Sequence, residues 1–273
     1  MGVKFFGAFL VERGVIKREE LLEALEEQRK SNLKLGEHAI RLGYLTPTQV
    51  EEIRKLQKRE ELKFGEAAIK LGYLTPEQVE KIITVQKSSH KLLGDILVEK
   101  GIITRDVLER ELKLFESEQR IYMTETVFLP EGVKDRDIIN IVVDLGKKFL
   151  LRTVDVNTKF GDFSFEEFQR RNEYDTQVAI SGNTNMKVVF SPPERFSDMI
   201  VKEYGLPSNP ELKKDAVKEF LNIVMGNVVA KLERLGKKIK ISIPSEPDVK
   251  GKVFKYNLTA PDEIYTFSFK EED

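Results

Sequence analysis

The stretch Asp-Ala-Val-Lys-Glu-Phe-Leu-Asn-Ile-Val-Met-Gly-Asn, residues 215–227, predicts the helix around which the second half of the chain folds. Its apolar residues recur at helical spacing and would face a core: Val217, Phe220, Leu221, Val224 and Val228. At 3.6 residues per turn, the opposite face carries Asp215, Glu219, Asn222 and Gly226. Asn is a poor interior helix former, because its amide competes for backbone groups. The outward row is compatible with a plain solvated face or with a functional one.

The segments around this helix predict an α/β (α+β) domain with an antiparallel sheet and packed helices. Strand-like runs recur on both sides of it, at residues 177–181, 186–191, 238–243, 252–258 and 264–269. A Gly182-Asn183 turn joins the first two runs, and a short helix is predicted from about Phe196. Residues 158–172 are Phe-rich and acidic and fit no periodic strand. We therefore expect a loop with a short helix, or a lid, in that segment.

The outward row resembles the signature of the CheC/CheX/FliY phosphatases of bacterial chemotaxis. In that signature an Asp or Ser precedes Glu-x-x-Asn on a helix, and a Pro follows further on. The matching residues are Asp215, Glu219, Asn222 and Pro244, with the Gly226-Asn227 pair. The resemblance covers roughly residues 121–270. It implies a CheX-like domain that hydrolyses phosphoaspartate on a response-regulator receiver domain, and it implies a homodimer.

The same resemblance implies a role for each matching residue. Asn222 would enter the receiver's site and orient the attacking water, and Glu219 would pair with the receiver's active-site Lys. Asp215 would support the helix start or the docking, Pro244 would end a strand, and Gly226 would let another surface come close. An acyl phosphate hydrolyses readily, so positioning a water supplies most of the gain. No cofactor of its own is expected, and Mg²⁺ would belong to the partner receiver domain.

A second helix, at residues 135–146, carries a related but incomplete pattern. Asp137 and Asn140 keep an acid and an amide three residues apart. The acid is shorter than Glu, and Val133 stands where the upstream Asp or Ser would be. We interpret this as a degenerate second site, with a plain core helix as the alternative. A single active helix resembles the CheX arrangement more than the two-site CheC arrangement.

Composition excludes several classes of function. The chain has 273 residues, a formal net charge of −1 and 33% charged residues, so no global basic field suggests nucleic-acid binding. It has no Cys, which excludes disulfides and fits a reducing cytoplasm. No apolar stretch is long enough for membrane insertion. His38 and His90 have no further ligands spaced for a metal and are expected at the surface. We therefore predict a cytoplasmic protein without a metal site.

The first half of the chain is a repeat array with a period of 29 residues. Two sets of glycines keep this period, as do three glutamines and a Phe in the fourth slot: Gly7, Gly36, Gly65 and Gly94; Gly14, Gly43, Gly72 and Gly101; Gln28, Gln57, Gln86 and Phe115. Four copies without insertions predict four helical repeats that pack on one another. Capping explains the glycines, and Thr46-Pro47 and Thr75-Pro76 predict helix starts. Residues 1–119 are predicted to be an all-α domain and residues 120–273 the CheX-like domain.

These repeats resemble the N-terminal domain of type II secretion and type IV pilus ATPases, some of which bind cyclic di-GMP. The binders open the motif with Arg-Leu-Gly, whereas the copies here include Lys34-Leu35-Gly36 and Lys63-Phe64-Gly65. Lys cannot reproduce a planar guanidinium, so a structural role is favoured, with weak or no nucleotide binding expected at these six residues. The alternative to an enzyme is a non-catalytic signalling adaptor or sensor, whose repeats bind cyclic di-GMP or a protein partner.

Overall fold

A computed structural model describes residues 5–119 and 127–272, which form two compact units. The predicted domain boundary, near residue 120, lies outside the described residues. Among the described residues no helix is both long and apolar enough to span a bilayer.

The first unit is helical, as predicted, and alternates short and long helices. They are α1 Phe6–Glu12, α2 Arg18–Ser31, α3 Leu35–Arg41, α4 Pro47–Arg59, α5 Phe64–Lys70, α6 Pro76–Ser89, α7 Leu93–Glu99 and α8 Arg105–Gln119. The predicted helix starts at Pro47 and Pro76 are confirmed. In each case the Thr hydroxyl accepts the backbone N–H of a Gln three residues later, and that Gln side chain accepts the Thr N–H in return.

The two sets of glycines have different physical roles, so the expectation that capping explains both is wrong. Gly14, Gly43, Gly72 and Gly101 follow the short helices with φ between +68° and +73°, the left-handed cap conformation. The other set lies in the first turn of each short helix. A Cβ on Gly36 would lie 2.9 Å from Val50, and one on Gly65 would lie 2.5 Å from Val79. These glycines let each short helix pack closely against its own long helix.

The repeats pack as two pairs, and the glutamines connect the members of each pair. The first and fourth copies share one core, and the second and third share another. Gln28 donates to the carbonyl of Lys91, Gln57 to that of Leu62 and Gln86 to that of Leu33, each at 3.1 Å. The three acceptors occupy the same place in successive repeats, the linker before a short helix. Phe115, in the fourth slot, packs edge-on against the rings of Phe6 and Phe9.

The second unit is an antiparallel sheet with packed helices, which confirms the predicted class for this half. Its elements are α9 Arg136–Val154, β1 Lys159–Glu167, β2 Thr176–Gly182, β3 Met186–Ser191, α10 Glu194–Glu203, α11 Pro210–Arg234, β4 Ile239–Ile241, β5 Lys252–Thr259 and β6 Ile264–Glu271. The strand order is β1-β5-β6-β3-β2-β4, with every neighbouring pair antiparallel. Buried residues of the three helices and of the sheet form one core.

The expectation of a loop or lid at residues 158–172 is wrong, because β1 is an edge strand paired with β5. The pairing register shifts between Phe160 and Phe163, so the alternation that marks a strand in sequence is interrupted there. Phe165 is exposed although its ring contacts Phe254, with 5.0 Å between ring centroids. Because of the bulge and the exposed Phe, apolar and polar residues do not alternate along this edge strand, so the sequence pattern does not indicate a strand.

Candidate functional site

The long helix α11 supports the candidate site and is fixed at its start and along its inner face. The side chain of Asn209 caps it by accepting the N–H of Leu212 at 2.9 Å, and Pro210 occupies the first turn. The five residues of the predicted apolar stripe are all buried: Val217, Phe220, Leu221, Val224 and Val228. The helix therefore has one anchored face and a fixed rotation about its axis.

The opposite face of α11 presents the predicted polar row to solvent, and we call it the α11 ridge: Asp215, Glu219, Asn222 and Gly226. The amide of Asn222 donates to Oε2 of Glu219 at 3.4 Å, a long contact that leaves both groups available to a partner. A Cβ placed on Gly226 would contact nothing within 4 Å, so the ridge is open on that side. An acid and a neutral amide thus lie together beside free space.

Lysines line one flank of the ridge. Nζ of Lys218 lies 3.6 Å from Asp215, and Nζ of Lys214 lies 3.1 Å from Glu173. The helix begins five residues before Asp215, with its own Asn cap, so Asp215 does not support the helix start. The carboxylate of Asp215 is paired with the lysine of the next turn, and its alternative role in docking stays a prediction. The Lys218–Asp215 pair was not predicted, although a spacing of three residues on a helix is a recognisable signal for such a pair.

Tyr204 lies at the end of α10, near Glu219 of the ridge. Its hydroxyl is buried and has no hydrogen-bond partner among the described residues. Burial raises the pKa of Tyr204 above its ordinary value, and the negative charges of Glu219 and Glu203 raise this pKa further. The phenol therefore stays protonated near the Glu219 carboxylate. The packing of α10 on α11 brings the two together, so the local sequence carried no signal for Tyr204.

Pro244 lies in an interruption of the sheet edge rather than at the end of a strand. Ile241 is paired with Ile180 of β2, and pairing with β2 resumes beyond the proline, where Ser245 is paired with Gln177. The predicted strand at 238–243 is confirmed only as the shorter β4. Because Pro lacks an N–H, it fits a position that the ladder skips.

The predicted second site on α9 has a different environment. Asp137 is exposed and lies 3.3 Å from Nζ of Lys237, whereas Asn140 is half-buried. Val133 is buried in the core. The acid of α9 is therefore engaged in an ion pair, and its amide is less accessible than that of the ridge.

The predicted ligand-binding residues of the repeats lie at the starts of α3 and α5. Lys34 and Lys63 are the residues that precede these helices, and both are exposed, whereas Gly36 and Gly65 are buried. The ring of Phe64 lies over Gly36, 3.1 Å from where a Cβ would be. The chain's own side chains thus cover this glycine, as Leu35 and its neighbours pack into the repeat core. Nucleotide binding here stays a prediction.

Histidines and carboxylates do not assemble into a metal site in the described part of the chain. No group of three or more His, Asp or Glu side chains there could hold a metal ion. The surface position expected for His38 is wrong, because it is buried in α3, with Nε2 3.5 Å from the hydroxyl of Ser89. Packing of α3 on α6 accounts for this histidine.

Solved structures with similar folds come from several bacteria. A crystal structure of chemotaxis protein CheX from Desulfovibrio desulfuricans is 18% identical, with a TM-score of 0.41, covering 50% of this chain and 99% of that one. The CheX–CheY–BeF₃–Mg²⁺ complex from Borrelia burgdorferi is 18% identical, with a TM-score of 0.40 and coverages of 50% and 99%. A CheC-like superfamily protein from Shewanella sp. PV-4 is 18% identical, with a TM-score of 0.39 and coverages of 49% and 97%.

No curated protein matches the chain. The comparison with family models does find a match, and it lies within the second unit. The matched segment begins just before β2, includes the whole α11 ridge and Pro244, and ends within β6; α9 and the repeats lie outside it. The resemblance drawn from the acid–amide row is confirmed for this segment, because residues 175–268 match the family model described as chemotaxis phosphatase CheX.

Proposed function

We propose that the second unit hydrolyses the phosphoaspartate of a response-regulator receiver domain, with the α11 ridge entering the receiver's active site. The observation that carries this proposal is the joint exposure of Glu219 and Asn222 beside the open space at Gly226. The family match over residues 175–268 supports the same reaction class. A scaffold without catalysis would favour burial of both polar groups, so their exposure supports the enzyme over the adaptor.

Asn222 is proposed to orient the attacking water. A carboxamide both donates and accepts hydrogen bonds, and it brings no negative charge toward a phosphoryl group. The water oxygen forms a bond to phosphorus while the bond from phosphorus to the aspartyl oxygen breaks, which releases inorganic phosphate and the free carboxylate. Because a carboxylate is a good leaving group, holding the water in line supplies most of the acceleration.

Glu219 is proposed to fix the docking geometry by pairing with the lysine of the receiver's active site. Before docking, the Glu219 carboxylate lies beside the Asn222 amide, 3.4 Å from its nitrogen. Mg²⁺ is proposed to reside on the receiver domain, where it would neutralise phosphoryl charge. The homodimer, the likeness of the repeats to secretion ATPases and the repeats' ligand or protein partner remain predictions.

The test measures the decay of phosphorylated receiver domains, drawn from a panel labelled with acetyl phosphate, with and without the full-length protein. Asn222→Ala should lose the rate enhancement, by about 100-fold, since a water that is no longer held in line costs about that much. Glu219→Gln should also weaken the reaction. Glu233→Gln, an exposed acid two turns beyond Gly226 on the same helix, is the matched control and should leave the rate unchanged. An Asn222→Ala protein that is folded and fully active would remove the catalytic assignment.

A further inference from the structure

The edge of the sheet beside α11 contains a β-bulge that exposes one apolar side chain. Between the Ile180–Ile241 pair and the Gln177–Ser245 pair, the outer segment has one residue more than β2. Such an insertion bends the strand and redirects a side chain. The redirected side chain is Ile243, which is 87% exposed, the highest value among the large apolar residues that the structure describes.

Backbone hydrogen bonds to β2 hold the bulge on both sides. The N–H of Ser242 donates to the carbonyl of Ala179 at 2.9 Å, and the N–H of Ser245 donates to that of Gln177 at 3.0 Å. The hydroxyl of Ser242 also accepts the N–H of Ala179 at 3.0 Å. Pro244 stiffens the segment between these anchors. Ile243 is therefore presented to solvent from a fixed backbone, which lowers the cost of ordering it on binding.

The flanking residues place Ile243 alongside the middle of α11. Before it, Ile241 packs on the core beneath the helix, and β4 contacts α11 directly. After it, Glu246 lines the same small surface pocket as Lys214 and Lys218. The chain thus runs back along the lysine flank of the ridge, and Ile243 lies between β4, which packs on α11, and Glu246 at the lysines.

We propose that Ile243 is an apolar anchor that binds the receiver domain whose phosphoaspartate the α11 ridge attacks. This inference rests on the proposed function and adds a specificity-determining contact to it. A fixed apolar side chain beside charged groups is the usual composition of a binding hot spot with its polar rim. The receiver is the occupant that this position favours, because a receiver seated on the α11 ridge would also cover its lysine flank, where Lys214 and Lys218, paired with Glu173 and Asp215, form the polar rim.

The test compares Ile243→Ser with Leu235→Ser in steady-state assays over a range of phosphorylated receiver concentrations. Leu235 is the matched control: it is 64% exposed and lies at the far end of α11, about 20 Å from Asn222 along the helix. Ile243→Ser should raise KM about tenfold while kcat changes less than about twofold, as expected for a lost docking contact of hot-spot size. Leu235→Ser should leave both constants unchanged.

Three outcomes would overturn the anchor and leave the proposed function standing. Equal KM values for the wild type and Ile243→Ser would show that the side chain is not in the interface. Equal effects of both serine variants would assign the loss to general surface polarity. Conversion of a dimer to a monomer by Ile243→Ser, measured by light scattering, would assign the side chain to a contact between copies. If the wild type accelerates no receiver's dephosphorylation, the proposed function itself fails, and the anchor fails with it.

Discussion

The two long helices of the second unit, α9 and α11, carry the same acid–amide spacing but differ in what surrounds it. Both bury an apolar face in one core. Aligned on the acid, the row on α11 is Asp215, Glu219, Asn222 and Gly226. The matching positions are Val133, which lies before α9 begins, and Asp137, Asn140 and Asp144 on α9. The amide position is the one at which the two rows carry the same residue. Spacing alone therefore does not make a site.

The contacts of α9 explain why its row differs in chemistry. Asp137 is in the first turn and paired with Lys237, while the amide of Asn140 is half-buried. One turn further on, Asp144 places a carboxylate where α11 has no side chain, and Nζ of Lys148 lies 2.9 Å from it. A carboxylate at this place would repel a phosphoryl group, whereas the gap at Gly226 leaves room for one. The position one turn after the amide is thus the discriminating one.

The most severe test of the difference between the two helices is to place the α9 carboxylate on α11, with Gly226→Asp. We expect the dephosphorylation rate to fall about 100-fold, because a negative charge next to the phosphoryl group opposes docking and reaction. A Cβ at this position contacts nothing within 4 Å, so the fold should be unaffected. The measurement is kcat/KM for a phosphorylated receiver domain. Gly226→Asn, which has the same size without the charge, should lose much less; equal losses would show that space rather than charge matters.

Local patterns in the sequence were sufficient to predict the anchored and exposed faces of α11 and the capping boxes at Thr46 and Thr75. Helical periodicity and capping depend on neighbours within a few residues, so these features can be predicted before the fold is known. The strand β3 at Met186–Ser191 matches its predicted limits for the same reason. By contrast, β1 was missed, because a bulge and an edge position remove the alternation.

The features that escaped prediction depend on contacts between distant segments. The exposure of Ile243 depends on the register between β2 and β4, and the buried hydroxyl of Tyr204 depends on how α10 packs on α11. The repeat glutamines were recognised by their period, yet their function required knowing which copies pair. A period in sequence shows that positions are equivalent, but tertiary packing decides what they contact.

A second comparison uses the glycine on each helix, which should respond to alanine with opposite signs. Gly146 of α9 is buried, and a Cβ there would lie 2.6 Å from the ring of Phe267, so Gly146→Ala should lower the free energy of unfolding by about 1–3 kcal/mol through overpacking. Gly226→Ala on α11 should raise it by about 0.5–1 kcal/mol, because Ala is the better helix former and the site is open. Urea unfolding of both variants, followed by circular dichroism, measures the two shifts. Equal signs would show that the two helices do not differ in packing at these glycines.

The smallest effect is expected from the amide that the two rows share. Asn140→Ala should change the dephosphorylation rate by less than about twofold, because its row offers an ion-paired Asp137 and a nearby Asp144 carboxylate, and no open position. Asn222→Ala is its matched counterpart on α11. A more sensitive measurement compares the Asn222→Ala variant with the Asn140→Ala/Asn222→Ala double variant, and the two residual dephosphorylation rates should be equal. A further fall in that double variant would show that α9 carries a working second site, and the charge at Asp144 could then not be what separates the two helices.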